Sequence, residues 1–248
     1  MNRLGIIDWG IGGISVYKLI KERLGDVPVT YFSDTGATPY GKMTWPELVG
    51  RLNSVIEYLR SEGVTHIVIG CNAASTVLPF LADHGIPVEG VIEPAVALAA
   101  RIKPKSLGLI GGRRTVLSGV YRNAFAGHGI AVKQRIAQPL SGLIESGDTS
   151  SDTLRAEAKR ILAPIRKCSH ILLACTHYPA ITPLLSGIVS PATQFIDPAA
   201  EMVKIVKGWN FSVDGKDEFL TSGDPKAMMA SAQNAFGVNI GPAKKIAI

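Results

Sequence analysis

The sequence has few cysteines, few aromatic residues and no long hydrophobic run. Cysteine occurs three times in 248 residues, and aromatic residues make up 6% of the chain. There is no run of about eighteen apolar residues, as a transmembrane helix would need, and no secretory leader is evident. A small, odd number of cysteines disfavours a disulfide framework. We therefore expect a protein of the reducing cytoplasm with no membrane partner.

Charge is also not concentrated anywhere. The formal net charge is +6, and no block of five or six like charges appears. No basic stripe is interleaved with aromatic residues, which disfavours nucleic acid as a partner. A mildly basic surface can instead steer an acidic small molecule towards the protein.

The sequence does contain an internal repeat, in which Cys71 and Cys175 take equivalent places. Three pairs of segments recur about a hundred residues apart and in register, which indicates two similar halves. The pairs are LGII (4–7) with LGLI (107–110), THIVIGCN (65–72) with SHILLACT (169–176), and VIEPA (91–95) with FIDPA (195–199).

Strand-like and helix-like segments alternate in each half, which predicts parallel sheets covered by helices. We expect an α/β fold of two similar flavodoxin-like domains, related by a pseudo-two-fold axis, with the active site in the cleft between them. Residues 1–95 with 206–248 are predicted to form the first domain, and residues 96–205 the second. The second half is expected to contain one helix near 115–126.

Both repeated cysteines follow a predicted strand directly. Ligands of such sheets bind at the carboxyl ends of the strands, so Cys71 and Cys175 are expected to face each other across one pocket. There, one thiol can take a proton from a carbon while the other delivers a proton to the opposite face, which inverts a stereocentre. His177 can relay a proton beside Cys175, and Asp8 can assist Cys71.

A structural interpretation of these cysteines stands beside the chemical one, because buried cysteine is often a small apolar core residue. The matched pair favours chemistry. Cys168 lies at a strand entrance and is expected to be structural, as are His66 and His170. No CxxC pair or His-x-x-x-His spacing is present, so a metal site is only weakly indicated.

Two glycine-containing loops follow the first two strands. Residues 8–13 (DWGIGG) resemble a dinucleotide turn, with Asp34 as a candidate ribose ligand, but Ser15 occupies the third glycine position. We therefore rank a small-anion site above NAD, and an ordinary tight turn also explains the glycines. In residues 34–41, backbone amides and the Tyr40 hydroxyl are candidates for orienting a substrate. Glu145 lies at the corresponding edge of the second half, where an exposed structural role is equally open.

The chain resembles the cofactor-independent aspartate/glutamate racemase family. The resemblance spans nearly the whole chain in the family's order, and Cys-Asn followed by Cys-Thr-His-Tyr-Pro is its specific signal. The matching segments are IIDWGIGGISV, YFSDTGATPYG, GCNAAS, LIESG, ACTHYP, FID and TSGDP.

This resemblance implies an enzyme that interconverts the L- and D-forms of glutamate or a related acidic amino acid. It implies no pyridoxal phosphate or other cofactor and no metal, and in bacteria it implies D-glutamate supply for peptidoglycan. Cys71 and Cys175 take the positions of the two acid/base thiols, assisted by Asp8 and His177. The positions matching family substrate contacts are Pro39, Tyr40, Gly41, Asn72, Thr115 and Thr176.

The chain departs from the family pattern around the substrate. Trp9 stands where serine is usual, and Ala73 and Gly112 stand where threonine is usual. We expect Trp9 and Ala73 to line the substrate pocket, with proton chemistry retained and specificity altered. Arg113 or Arg114 is expected to supply a new carboxylate contact.

Other interpretations keep the predicted fold but assign a different substrate, a different reaction or no catalysis. They are a racemase for aspartate or another amino acid, a hydantoin racemase, a maleate isomerase, an arylmalonate decarboxylase, and a non-catalytic ligand-binding homologue. Two cysteines disfavour the decarboxylase, which uses one. A homodimer is kept as one candidate assembly.

Overall fold

The computed structural model describes residues 2–211 and 215–248. Residue 1 and residues 212–214, which fall within the predicted first domain, lie outside this range. The described strands are β1 (Leu4–Asp8), β2 (Val29–Ser33), β3 (His66–Ile69), β4 (Val88–Gly90), β5 (Leu107–Gly111), β6 (Val132–Ile136), β7 (His170–Ala174), β8 (Gln194–Ile196), β9 (Glu218–Thr221) and β10 (Ala243–Lys245).

Helices alternate with most of these strands. They are α1 (Ile14–Leu24), α2 (Trp45–Ser61), α3 (Asn72–Ser75), α4 (Ile92–Ile102), α5 (Arg113–Leu117), α6 (Val120–Gly127), α7 (Gln138–Glu145), α8 (Asp152–Leu162), α9 (Thr182–Ser186), α10 (Ala199–Gly208) and α11 (Pro225–Phe236). Short 3₁₀ turns cover Leu78–Phe80 and Tyr178–Ile181.

The strands form two sheets of equivalent order. One sheet runs β10-β9-β2-β1-β3-β4 and the other β6-β5-β7-β8, and all the pairings are parallel. The order β2-β1-β3-β4 therefore recurs as β6-β5-β7-β8, in agreement with the sequence repeat. This confirms the predicted α/β class with two parallel sheets. The C-terminal strands β9 and β10 extend the first sheet.

Local sequence signals explain the elements that carry the site. Every residue of β1 is buried, as expected for a central parallel strand covered on both faces. Helix α2 begins with a capping box, in which the Thr44 side chain accepts from the Glu47 amide and the Glu47 side chain accepts from the Thr44 amide. Pro46 fits the first turn of this helix, where a missing amide hydrogen costs nothing.

The second half differs from the predicted helices in two places. The single helix expected near 115–126 is wrong: α5 ends at Leu117, and α6 begins at Val120. Gly119 between them has φ 71°, a left-handed conformation that glycine adopts without steric cost and that interrupts a helix. Helix α7 was not predicted, and its last residue is Glu145.

The two halves also contact each other through helices, away from the carboxyl ends of the strands. Helix α10 follows the last strand of the second sheet and packs against α1 of the first half. One apolar cluster therefore includes Ile14 and Ile20 of α1 together with Met202 and Val206 of α10. Among the described residues, no helix combines the length and apolarity needed to cross a membrane.

Candidate active site

One cavity of about 390 Å³ opens where the carboxyl ends of both sheets meet. All twelve residues predicted for the site line it. From the first half these are Asp8, Trp9, Pro39, Tyr40, Gly41, Cys71, Asn72 and Ala73, and from the second half Thr115, Cys175, Thr176 and His177. Further lining residues not predicted as contacts include Lys42, Gln138, Ser141 and Gly142.

The two cysteines occupy equivalent places in the two halves. Cys71 follows β3 and is the N-cap residue of α3, and Cys175 follows β7 directly. Both are unpaired and partly buried, and both border the same cavity. A substrate in this cavity can therefore contact one thiol from each sheet.

A carboxylate–imidazole–thiol chain stands behind Cys175. The Cys175 sulfur lies 3.6 Å from His177 Nδ1, and His177 Nε2 lies 2.6 Å from Glu145 Oε2. Burial alone would lower the pKa of His177, but the Cys175 thiolate charge and the hydrogen bonds with Cys175 and Glu145 outweigh it. The pKa of His177 is therefore raised well above its usual range, so the ring holds a proton beside the sulfur.

Asp8 supports the opposite side of the cavity. It accepts a hydrogen bond of 2.9 Å from the Thr176 hydroxyl, which belongs to the other half. Burial raises the pKa of Asp8, although the positive charge of His177 opposes this. Burial first, and then the charge of Asp8, raise the pKa of the Cys71 thiol well above its usual range. The two thiols thus lie in unlike electrostatic surroundings.

The backbone turn after β1 binds a side chain from the second half of the protein. The Ile11 amide donates to Glu145 Oε2 at 2.9 Å, so a carboxylate of the protein itself takes the place at which a small anionic ligand was predicted. A Cβ at Gly10 would collide with that carboxylate, and one at Gly12 would lie 2.5 Å from Thr176 Oγ1. These two glycines allow the second half to approach closely.

Asp34 has a structural role in place of the proposed ribose contact. Its buried carboxylate accepts from Arg51 Nε at 2.8 Å and Nη2 at 2.5 Å. It also accepts from the Tyr40 hydroxyl at 2.8 Å and the Ser222 hydroxyl at 2.7 Å. The dinucleotide interpretation therefore loses its acidic ligand. The Tyr40 ring lines the cavity, but the hydroxyl expected to orient a substrate donates to Asp34.

The residues that differ from the family pattern give the cavity an apolar wall, with an arginine at its edge. Trp9 and Ala73 both line the cavity, and the Trp9 indole NH donates to the Ala37 carbonyl at 3.1 Å. Arg113 lines the cavity and is exposed. Arg114 does not line it and instead donates to Thr76 Oγ1 at 3.2 Å and the Met43 carbonyl at 2.9 Å. Of the two arginines, Arg113 is thus the one that lines the cavity.

The residues expected to be structural lie away from the cavity. Cys168 is buried in the core. His66 packs against Trp209, with ring centroids 5.0 Å apart, and His170 Nδ1 lies 3.1 Å from the Ser169 hydroxyl.

Comparisons with known proteins agree with this architecture. The family model described as Asp/Glu/Hydantoin racemase matches residues 4–206. A glutamate racemase of Synechococcus sp. (strain CC9605) is 37% identical over 203 residues, covering 79% of this chain and 75% of the relative. A glutamate racemase of Mycobacterium ulcerans (strain Agy99) is 32% identical over 251 residues, covering 94% and 92%.

A solved structure is similar along the full chain. Glutamate racemase from Thermus thermophilus, in complex with β-chloro-D-alanine, superposes with a TM-score of 0.87 at 28% identity, covering all of this chain and 97% of that one. The fold and these similarities define an α/β isomerase. The chain belongs to the Asp/Glu/Hydantoin racemase family, and it is an amino-acid racemase.

Proposed function

We propose that this racemase interconverts L- and D-glutamate by using Cys71 and Cys175 as paired acid and base. The observation that supports this most directly is that equivalent cysteines of the two sheets border one cavity. Glutamate is proposed because the curated relatives at 32–37% identity are glutamate racemases. No cofactor or metal is part of the proposal.

The reaction is a balanced proton exchange. A thiolate takes the α-proton, the C–H electron pair stays on the substrate as a carbanion delocalised into the carboxylate, and the opposite thiol gives a proton to the other face. The C–H bond broken is replaced by a C–H bond of opposite configuration, with no net oxidation. Each turnover leaves the protonation of the two thiols exchanged.

The surroundings of the thiols suit this cycle. His177, whose pKa is raised, places a positive charge 3.6 Å from the Cys175 sulfur. The raised pKa of Cys71 keeps that group a neutral thiol in the ligand-free protein. We therefore assign Cys175 as the base that removes the α-proton when the ligand-free protein first binds substrate. Cys71 is assigned as the acid that gives a proton to the opposite face. Asp8, whose charge acts on the Cys71 thiol, is proposed to assist Cys71 when the reaction runs in the opposite direction.

The remaining lining residues are proposed to hold the substrate. Asn72 and Thr115 supply side-chain donors, and Pro39, Tyr40 and Gly41 supply backbone and ring surface. Thr176, whose hydroxyl already donates to Asp8, is proposed to contact the substrate through its backbone. Trp9 and Ala73 close the apolar wall beside the substrate side chain. Arg113 is proposed to attract the distal carboxylate, which compensates for the hydroxyl groups missing at positions 9 and 73.

The experiment is proton NMR in D₂O with L-glutamate, D-glutamate and, as competitors, aspartate, alanine and glutamine. Loss of the α-proton signal from both glutamate enantiomers, faster than from any competitor, is the expected result. Absence of exchange from glutamate, with folded and reduced protein, would contradict the proposed substrate. Faster exchange from aspartate would assign the site to the shorter acid.

Several wider expectations belong to the same proposal. We place the enzyme in the cytoplasm, where its three cysteines stay reduced and its D-glutamate can enter peptidoglycan synthesis. We divide the chain into a domain of residues 1–95 with 206–248 and a domain of residues 96–205, supported by the entry of β9 and β10 into the first sheet. A homodimer stays a prediction, and light scattering of the purified protein tests it.

A further inference from the structure

The side chain of Asn72 has one satisfied end and one unsatisfied end. Asn72 is 3% exposed and lines the cavity. Within residues 2–211 and 215–248, its Nδ2 atom has no hydrogen-bond partner. Leaving a buried amide donor without a partner is energetically costly, so such a donor is expected where a ligand completes it.

The satisfied end is held by a residue from the other half. The Tyr121 hydroxyl donates to Asn72 Oδ1 at 2.7 Å. Tyr121 lies on α6, beside the second sheet, whereas Asn72 begins α3 beside the first. The hydrogen bond therefore crosses from one half to the other directly at the cavity wall.

The Tyr121 ring has little freedom to move. It is fully buried and stacks on Phe125 with centroids 5.9 Å apart. Burial, and then the charge of Cys175, raise the pKa of Tyr121 above its usual range, so the hydroxyl keeps its proton and remains a donor. A fixed donor at Oδ1 determines which way the Asn72 amide is turned.

We propose that Tyr121 is a positioning residue: by holding Asn72 Oδ1 from the opposite half, it leaves Asn72 Nδ2 as a free donor for a carboxylate oxygen of the amino acid. This inference rests on the proposed function for the identity of the substrate. The orientation of Asn72 itself does not depend on that identity. Binding of the carboxylate is thereby linked to the alignment of the two halves, and with it to the alignment of the two thiols.

The test is the variant Tyr121→Phe, which keeps the stacked ring and removes the hydroxyl. The matched control is Tyr17→Phe, which removes a hydroxyl that donates to Asp217 at 2.8 Å, away from the cavity. Because an amide that turns freely weakens ground-state and transition-state binding alike, Tyr121→Phe is expected to raise KM for glutamate about tenfold with kcat within threefold. Tyr17→Phe is expected to leave KM unchanged.

A double-variant comparison separates positioning from general structural damage. In an Asn72→Ala background, Tyr121→Phe is expected to cause no further rise in KM, because the group that it positions is gone. Independent, multiplying effects of the two substitutions would overturn the proposal, as would an unchanged KM in Tyr121→Phe alone.

A readout without turnover keeps the inference separate from the proposed function. The side-chain amide signals of Asn72 are assigned in ¹⁵N-labelled protein by their loss in Asn72→Ala. They are expected to shift or broaden in Tyr121→Phe and to stay in place in Tyr17→Phe. Unchanged signals in Tyr121→Phe would overturn the positioning role, even if the wild-type protein racemises glutamate. Shifted signals in a protein inactive on glutamate would support positioning and reject only the substrate.

Discussion

Glu145 Oε2 lies 2.6 Å from His177 Nε2 and 2.9 Å from the Ile11 amide, so one carboxylate joins the glycine turn of the first half to the histidine behind Cys175. It accepts from the backbone with the same oxygen that contacts the ring. The Glu145 side chain therefore orients His177 and, after Cys175, contributes to its raised pKa. We expect it to act on the reaction through His177, without contact to the substrate.

Replacing Glu145 by Gln should weaken the protonated state of His177. The Gln oxygen can still accept from the ring, but a charge-assisted hydrogen bond becomes a neutral one, which is roughly half as strong, so kcat/KM should fall by about tenfold. The fall should be larger at high pH, because His177 then loses its proton at a lower pH than in the wild-type protein. A pH profile of kcat/KM measures both effects.

The matched control is Glu157→Gln, which removes a partly buried carboxylate that is paired with Arg160 away from the cavity. It should leave the profile unchanged. An unaltered profile in Glu145→Gln as well would show that the carboxylate has no influence on His177.

The protonated His177 should also make stability depend on pH. Its native pKa is raised, whereas an unfolded histidine titrates near about 6.5. The stabilisation is therefore complete below about pH 6.5 and is lost as pH rises through the native pKa. Urea unfolding of wild type and His177→Asn at several pH values tests this. The wild-type advantage in free energy of unfolding should shrink as pH rises, and a constant difference from pH 6 to 9 would refute the raised pKa.

Trp9 is expected to limit substrate choice. Its indole NH is used by the Ala37 carbonyl, so it offers the cavity an apolar surface and no donor. Trp9→Ser removes this bulk and adds a hydroxyl, and should improve kcat/KM for glutamate relative to alanine by about tenfold, as one added hydrogen bond to a carboxylate allows. Trp9→Phe, which keeps a ring, should leave the ratio near wild type. A ratio equally unchanged in Trp9→Ser would mean that residue 9 does not contact the substrate side chain.

Asp34 and Arg51 should matter for folding. Arg51→Ala leaves a fully buried carboxylate without its cation, a change that typically costs about 3–5 kcal/mol. Chemical unfolding measures the loss. Arg60→Ala, which breaks an exposed pair with Glu57, should have a much smaller effect. Equal effects of the two substitutions would show that the Asp34 network is not structural.

The repeat in the sequence was sufficient to predict the fold and the thiol pair. Cys71 and Cys175 each end a repeated strand motif, and parallel strands place their carboxyl ends at one edge, so their convergence follows from topology. Most of the other predicted lining residues, such as Pro39 and Thr115, were indicated by the resemblance to the racemase family. Their roles stay predictions until variants are measured.

The supporting residues were harder to predict, because their partners are distant in the sequence. Glu145 contacts His177, which lies 32 residues further along the chain. It ends helix α7, which the sequence analysis did not predict because the segment is short and contains a glycine. Tyr121 looks like an ordinary core aromatic within an amphipathic helix, and nothing local indicates that its hydroxyl reaches Asn72. The separation of Arg113 from Arg114 likewise depends on where α5 begins.

The central claim is that the two thiols act on opposite faces of one carbon, and its most direct test uses Cys71→Ser and Cys175→Ser with each glutamate enantiomer in D₂O. Wild type should place one deuteron at Cα of the inverted product. Each substitution should lower racemisation by at least about 10²-fold, within the range for losing a general acid or base. The control, Cys168→Ser, alters the buried third cysteine away from the cavity and should retain racemisation in whatever fraction folds. Racemisation within tenfold of wild type in either Cys71→Ser or Cys175→Ser would contradict the two-thiol account.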